Sequence, residues 1–278
     1  MKSIRETFLP DPGCVFVRVD MSQIEHRMCL MYTRSPRLVE IANLHPSEYD
    51  GHTDNAKMIF GKDVVTKDER YLGKTTTHAA ERDMRGDTLS EHILKDTDGA
   101  LFIPPQRCNR MIDKFFKGLP EIKHSYFPWV IERMIRDQVL INSWGRRWKC
   151  DKRRIDKDLY RQGFSFYLQS DGVDWVMQYL YLPTYYYMMT RYNKPPNLQC
   201  HDEVVVSVPP EDAYDAAAFM VAAAEQTRQI AGAMLKCPSE VIIGNSWGDQ
   251  QGVEYKRLPS KDEVTEDARG VLCSQTGL

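Results

Sequence analysis

With 278 residues the chain can hold a full hydrophobic core and one or two domains of about 100–200 residues, and its formal net charge of −2 excludes the overall basic excess of a protein coated in cations for nucleic acid. A hydrophobic share of 42% and a charged share of 27% are ordinary for a globular chain, and no run approaches the roughly 20 apolar residues of a membrane span, so no membrane partner is expected. The N-terminal MKSIRETFLPDPG lacks a signal peptide's apolar core, and the seven cysteines show no CxxC or Cys/His spacing, which together predict an intracellular, cytoplasmic protein with reduced thiols.

In chain order, VFVRVD reads as a strand ending at Asp20, and SQIEHRMCLMYT as the start of a helix with Ser22 as N-cap and Glu25 completing a capping box. A stretch rich in Pro, Asp, Gly and Asn follows. HTDNAKMIFG around His52 predicts a helix, and DERYLGKTTTHAAERDM a longer one, weakened by three consecutive threonines and broken at Gly86. Residues 105–138 read as mainly helical, with breaks at Pro120 and Pro128, and VLINSWGRRWKC as a hairpin turning at Gly145. A helix is expected from Tyr160 to Leu182, a second strand over LQCHDEVVVSV, and one amphipathic helix over AYDAAAFMVAAAEQTRQIAGAML. From about residue 250 the chain turns polar and reads as a mobile tail.

Asp20 and Asp202 each mark the place where an apolar strand meets the surface, and two strand-borne carboxylates suggest a metal site. Between them, Arg70, Lys74, His78 and Arg82 recur four apart, along one helix face that drifts by about 40° per step. Such a basic stripe with two carboxylates is a place to hold a polyphosphate and its magnesium ions. A second basic cluster runs from Arg146 to Arg161, with eight Lys or Arg against three Asp. Alone it reads as a solvated face, but Trp144 and Trp148 interleave with it, and aromatics beside cations suit nucleic acid.

These landmarks resemble those of family A DNA polymerases. DMSQIEHR is similar to motif A, usually DYSQIELR; RYLGK falls where motif B has Arg, three residues, then Lys; and HDE is motif C. GRRWKCD resembles the family's GRRR turn, LQSDGVD its IQGTAAD segment, GHTDNA its DIHxxTA stretch, and GNSW its closing GxxW, in order over about residues 4–249. The resemblance implies an α/β (α+β) right-hand fold reduced to a palm with an antiparallel sheet and helical fingers, without thumb or exonuclease domain. Its segments are palm at 1–30, fingers at 31–156, palm at 157–249 and a polar tail at 250–278.

The resemblance also implies template-directed addition of dNTPs to a primer 3′ end with two Mg²⁺ ions, Mn²⁺ being a substitute. Asp20, Asp202 and the carbonyl of Met21 would hold the metals, with Glu203 a nearby carboxylate grouped with the catalytic residues. Arg70 and Lys74 would grip phosphates, Lys74 also protonating pyrophosphate. Glu25 falls at the family's barrier to a ribose 2′-hydroxyl, and Gln23, His52, His78 and Arg82 complete the nucleotide contacts. His201, Gln169, Arg161, Arg146 and Arg147 would contact primer-template DNA.

Departures from the pattern matter. His78 replaces the aromatic that stacks on the incoming base, Arg82 and Asp83 replace a Tyr-Gly pair behind Glu25, and Ser165 replaces an Asn. These leave open relaxed sugar selectivity, or a non-catalytic DNA-binding subunit. Because about 19 residues precede Asp20, a separate chain of phage type or a removed segment is expected to supply the thumb and first palm strands, with any exonuclease, in a bacterial or phage-infected cell.

Overall fold

The computed structural model describes residues 4–150, 156–248 and 252–276. Strand β1 (Val15–Met21) leads into α1 (Ile24–Tyr32), followed by α2 (Pro36–Ala42), α3 (Gly51–Phe60), α4 (Lys67–Glu81), α5 (Gly86–Asp96) and α6 (Pro105–Gly118). A π-helical turn at Ile122–Tyr126 runs into α7 (Phe127–Arg136), then the hairpin β2 (Val139–Ile141) and β3 (Arg147–Lys149), and α8 (Lys157–Trp175). The π-helical segment Val176–Tyr181 continues α8 into α9 (Leu182–Tyr192), after which come β4 (Leu198–Cys200), β5 (Glu203–Val208), α10 (Ala213–Ala224), β6 (Thr227–Ile230), β7 (Ala233–Lys236), β8 (Ser239–Gly244), β9 (Val253–Tyr255) and α11 (Lys261–Thr276). Among the described residues no helix is long and apolar enough to cross a membrane.

The chain divides into two compact units. The first, formed by the segments up to Ile24, Gly172–Arg228 and from Lys236 on, carries an antiparallel sheet of order β4-β5-β1-β8-β9. β1 is central, and Val15, Val17 and Val19 are fully buried, while α10 and α11 pack on the sheet. The small residues Ala213, Ala216, Ala217 and Ala224, all buried, line the inner face of α10. They let the helix approach the Val-rich strands closely, which shape-matched packing favours.

The second unit, Glu25–Asp171 with Gln229–Leu235, is mainly helical. α3 and α4 pack at Gly73, where an added Cβ would lie 2.6 Å from the Ala56 Cβ and 2.9 Å from the His52 carbonyl. A side chain there would wedge apart the helices that carry His52 and His78. A full capping box of Thr66 and Glu69 starts α4 and helps offset the weak helix preference of its three threonines. Asp50 caps α3 by accepting from the His52 and Thr53 amides at 3.1 and 3.3 Å. Gly145, at φ 85°, turns the β2-β3 hairpin as expected.

Several expectations are corrected. The HDE segment does not lie inside one strand: Cys200 pairs with Glu203, and His201, at φ 54°, turns the chain between β4 and β5. The predicted long helix over 213–235 ends at Ala224, and a hairpin follows. Ala231 and Gly232 at φ 52° and 95° impose a turn that outweighs the helical spacing of the apolar residues. The expected mobile tail contains β9, paired with β8, and α11, whose buried Val264, Ala268 and Val271 supply the apolar stripe. Pro128 does not break its helix: it follows directly on the π-helical turn Ile122–Tyr126, in which the Phe127 amide donates to the Ile122 carbonyl, and such a turn accommodates a proline within a continuous helical run. Gly86 is likewise not the end of α4, which stops at Glu81; it begins α5. No Ser22–Glu25 capping box forms, because the Ser22 amide donates to the Pro238 carbonyl at 2.9 Å and Glu25 bonds to Arg82.

Candidate functional site

In the sheet-bearing unit, β1 ends beside the β4-β5 turn, and the Met21 amide donates to the Asp202 carbonyl at 3.1 Å. Asp20 and Asp202 are thus neighbours at one end of the sheet, both part-exposed. Asp20 lies opposite Glu203 on β5 and opposite Glu240 on β8. Three carboxylates in adjacent register repel one another unless something intervenes. Arg18, two residues before Asp20 and so on the same face of β1, donates to Glu203 Oε2 at 2.6 Å, and Trp247 Nε1 donates to Glu203 Oε1 at 2.6 Å. Both Glu203 oxygens are therefore engaged, by Arg18 and Trp247.

Trp247 is itself fixed by Arg5 stacked 4.6 Å from its ring, by the edge of Phe8, and by its amide donating to the Phe8 carbonyl at 3.0 Å. Sequence reasoning placed Trp247 within GNSW but gave it no role, and missed Arg18 and Glu240. A charge inside a strand beside a motif aspartate is the signal that could have marked Arg18. Ser22 donates to Glu240 Oε1 at 3.3 Å. His201 is exposed at the hairpin tip, where its carbonyl accepts from Gln199 at 2.8 Å.

Among the described residues no group of three or more His, Cys, Asp or Glu side chains forms a metal cage. The carboxylates of the neighbouring residues Asp20 and Asp202 and the Met21 carbonyl are hard oxygen donors. Magnesium bound by one or two carboxylates plus substrate phosphate needs only such an incomplete set, so the residues fit the ion.

In the helical unit, α4 carries Arg70, Lys74 and His78, and Arg82 is its C-cap. Arg70 is exposed and bridges Asp50 at 2.9 Å while donating to the Thr53 hydroxyl at 3.0 Å. Burial alone pushes the Asp50 carboxyl up, but the Arg70 guanidinium and Thr53 outweigh it and hold it at about 2. Lys74 is exposed and forms no ion pair among the described residues. Lys74, His78 and Arg82 line a cavity of about 490 Å³, whose wall also includes Tyr71, His92 and Asp96.

The His78 and His52 rings meet edge to face at 5.6 Å. Burial, then the neighbouring His78 and Lys74, push His52 down to about 2, and burial likewise lowers His78. Arg82 donates to Glu25 and to the His78 carbonyl. Glu25 is thus within reach of both Arg82 and His78, the latter at 3.8 Å. Gln23, at φ 55°, lies in the turn between β1 and α1.

A second cavity of about 420 Å³ in the same unit is lined by Arg82, Trp148, Arg161, Phe166 and Gln169, among others. Arg161 donates to the Asp83 carbonyl at 3.0 Å and pairs with Asp158 at 2.8 Å. Trp148 stacks on Phe166 at 6.0 Å. Arg147 is exposed on β3, and Arg146 precedes it. Of the basic cluster, Lys152, Arg153 and Arg154 lie outside the described residues.

The model of DNA polymerase family A matches residues 1–249. The chain belongs to DNA polymerase family A. Curated relatives include DNA polymerase I of Synechocystis sp., 24% identical over 88% of this chain and 26% of that protein. The DNA polymerase of Mycobacterium phage D29 is 26% identical over 91% of this chain and 38% of that protein, and the thermostable DNA polymerase I of Thermus aquaticus is 23% identical over 88% and 28%. Among solved structures, the POL domain of Pol1 from M. smegmatis, in complex with DNA primer-template and dNTP, superposes with a TM-score of 0.70 at 18% identity, over 88% of this chain and 42% of that one. This likeness shows the polymerase-domain fold: a mixed antiparallel sheet and helices. The chain spans about a quarter to two fifths of these proteins.

Proposed function

We propose that the chain carries the nucleotidyl-transfer centre of a DNA-directed DNA polymerase, adding deoxynucleotides to a primer 3′ end on a DNA template. In this reading the sheet-bearing unit is the palm and the helical unit the fingers. The observation that carries it is the adjacency of Asp20 and Asp202, joined through the Met21 amide, in a chain that also bears Arg70 and Lys74 on one helix. Primer-template and dNTP, the partners named for the M. smegmatis domain, are assigned here by family membership.

Two magnesium ions, or manganese in their place, would be held by Asp20, Asp202 and the Met21 carbonyl, and would activate the primer hydroxyl and neutralise the triphosphate. The primer 3′-hydroxyl gives up its proton to solvent water, its oxygen attacks the α-phosphorus and forms a new P–O bond, and the bond from the α-phosphorus to the α,β-bridging oxygen breaks, releasing pyrophosphate. Lys74, exposed and in no ion pair among the described residues, donates its proton to that leaving oxygen. Arg70 exchanges Asp50 for phosphate, an exchange eased because an exposed ion pair contributes at most about 1 kcal/mol. His78, kept neutral by burial, offers a ring for the incoming base to stack on, with His52 behind it. Glu203, with both oxygens occupied, positions Asp202 rather than binding metal. Arg161, Gln169 and Trp148 would meet the duplex, with Arg146, Arg147 and His201.

Primer extension with magnesium and dNTPs tests the reading, run on wild type and Asp202→Ala, with and without a candidate partner polypeptide. Template-dependent extension that disappears in the variant supports it. Folded wild type that binds duplex and never extends it overturns it, and leaves a DNA-binding subunit.

A further inference from the structure

Two consecutive residues of α1 are tied to two consecutive residues at the end of α4. The Glu25 carboxylate accepts from Arg82, and His26 Nδ1 lies 2.5 Å from Glu81 Oε1. The outer pair is part-exposed, at 15% for Arg82 and 28% for Glu25, whereas the side chains of His26 and Glu81 are both fully buried. Around the inner pair, the Tyr49 hydroxyl lies 2.9 Å from His26 Nε2, with the two rings stacked at 6.1 Å. The Cys29 thiol lies against Glu81, and burial together with that carboxylate pushes it up.

Stability does not account for this arrangement. Apolar residues of similar volume in place of a buried ionisable pair are usually neutral or stabilising. An apolar contact tolerates sliding and rotation, however, and a hydrogen-bonded pair does not. His26 meets Glu81 at only one offset of α1 against α4, because each residue of slip turns a helix by about 100°. That same offset brings Glu25 to Arg82, a part-exposed pair that alone is weak and mobile.

We propose that His26, Glu81 and Tyr49 form a buried positioning latch that holds Arg82 on the Glu25 carboxylate and thereby sets the sugar selectivity of the nucleotide site. The latch rests on the polymerase reading above, in which Glu25 is the barrier to a ribose 2′-hydroxyl. A carboxylate can exclude that hydroxyl only while its own position is fixed. In this chain Arg82 fixes it directly, and the latch fixes the helix end that bears Arg82. None of the three latch residues touches the nucleotide.

The test is steady-state primer extension with matched dNTPs and NTPs on the full chain, comparing kcat/KM ratios alongside thermal melting. The variant His26→Leu/Glu81→Leu/Tyr49→Phe removes the polar network whole and should melt at or above the wild-type temperature. Its dNTP kcat should stay near wild type while the dNTP/NTP ratio falls at least about tenfold, since a displacement of about 1 Å costs up to a hundredfold. Glu81→Gln, which keeps an acceptor for His26, should retain the ratio. Tyr49→Phe alone removes one hydrogen bond and should lower the ratio about two- to threefold, and it decides the matter if the triple variant does not fold. An unchanged ratio in the triple variant, or in Tyr49→Phe where the triple variant is unfolded, overturns the latch alone. Wild type that extends no primer overturns the polymerase reading and the latch with it.

Discussion

The two units solve opposite electrostatic problems. At the end of the sheet, acids gather: Asp20 has Glu203 on one side and Glu240 on the other, and the backbone ladder fixes all three. On α4, cations gather, and Arg70 already holds an acid, Asp50, through a long exposed side chain that can let go, whereas Arg82 at the helix C-cap is tied to Glu25 in a part-buried pair. In the proposed reading metal ligands must be in place before substrate arrives, and sheet register would provide that. In the same reading the phosphate contact of Arg70 must form and break in every cycle, and an exposed ion pair of low net worth would allow that.

The sharpest way to break this comparison is to remove one of the two proposed ligand carboxylates. Asp202→Ala or Asp20→Ala should lower primer extension by about 10³-fold or more, since removing a single preorganised group at a developing charge commonly costs 10²–10³. Both residues are part-exposed at the sheet end, so unfolding free energy should move by less than about 1 kcal/mol. Rate and denaturant midpoint measured together separate the two effects, and near-wild-type extension in both variants would remove the sheet from the chemistry.

On the helical side the next largest effect belongs to Lys74, which forms no ion pair among the described residues. Lys74→Ala should lower kcat by about 10²-fold, as loss of a general acid typically does. Arg70→Ala should act mainly on KM, because Arg70 spends the resting state on Asp50. Steady-state kinetics with varied dNTP read both. A larger kcat loss at Arg70 than at Lys74 would reverse the assignment of resting and reacting cations.

How much of this was legible in the sequence follows the same division. Motif residues on regular elements were readable: Asp20 at the end of β1, the α4 stripe, and the Gly145 hairpin, where apolar periodicity and turn chemistry agree. Backbone turns that override periodicity were not. The α10 pattern runs on through Met234, yet Ala231 and Gly232 at positive φ make a hairpin of its second half. His201 at positive φ likewise splits the predicted LQCHDEVVVSV strand in two. Partners far apart in sequence were invisible as well. Nothing local says that Arg18 reaches Glu203, 185 residues on, or that His26 meets Glu81.

Trp247 sharpens the comparison from the sheet side. Trp247→Phe keeps the ring under Arg5 and against Phe8 but deletes the N–H that bonds Glu203. A hydrogen bond to a charged group contributes about 1.5–3 kcal/mol, and Arg18 still holds the other oxygen, so a loss of about 1–2 kcal/mol in unfolding free energy is expected. Extension should fall by up to about tenfold, because Glu203 adjoins Asp202 in the chain. Unchanged stability and rate would show that Arg18 alone fixes the carboxylate.

The helical unit is tested through pH, in stability alone. Burial and the nearby His78 and Lys74 depress His52 to about 2 from its ordinary 6.5, and its Nδ1 is buried with no hydrogen-bond partner among the described residues. Below pH 6.5 the unfolded chain takes up a proton that the folded chain refuses. This contribution to stability is therefore complete above pH 6.5 and declines as pH falls toward about 2, by at most about 1.4 kcal/mol per pH unit. His78 is depressed in the same direction and adds to the same slope. Asp50 does not interfere, because its folded value of about 2 and its ordinary 3.8 confine its contribution to lower pH. Denaturant unfolding between pH 7.5 and 5 should thus show a slope that His52→Gln reduces. An undiminished slope in that variant would mean that the histidine pair beside the α4 cations accepts protons as readily folded as unfolded, and that the resting helical unit is open to water where the structure closes it.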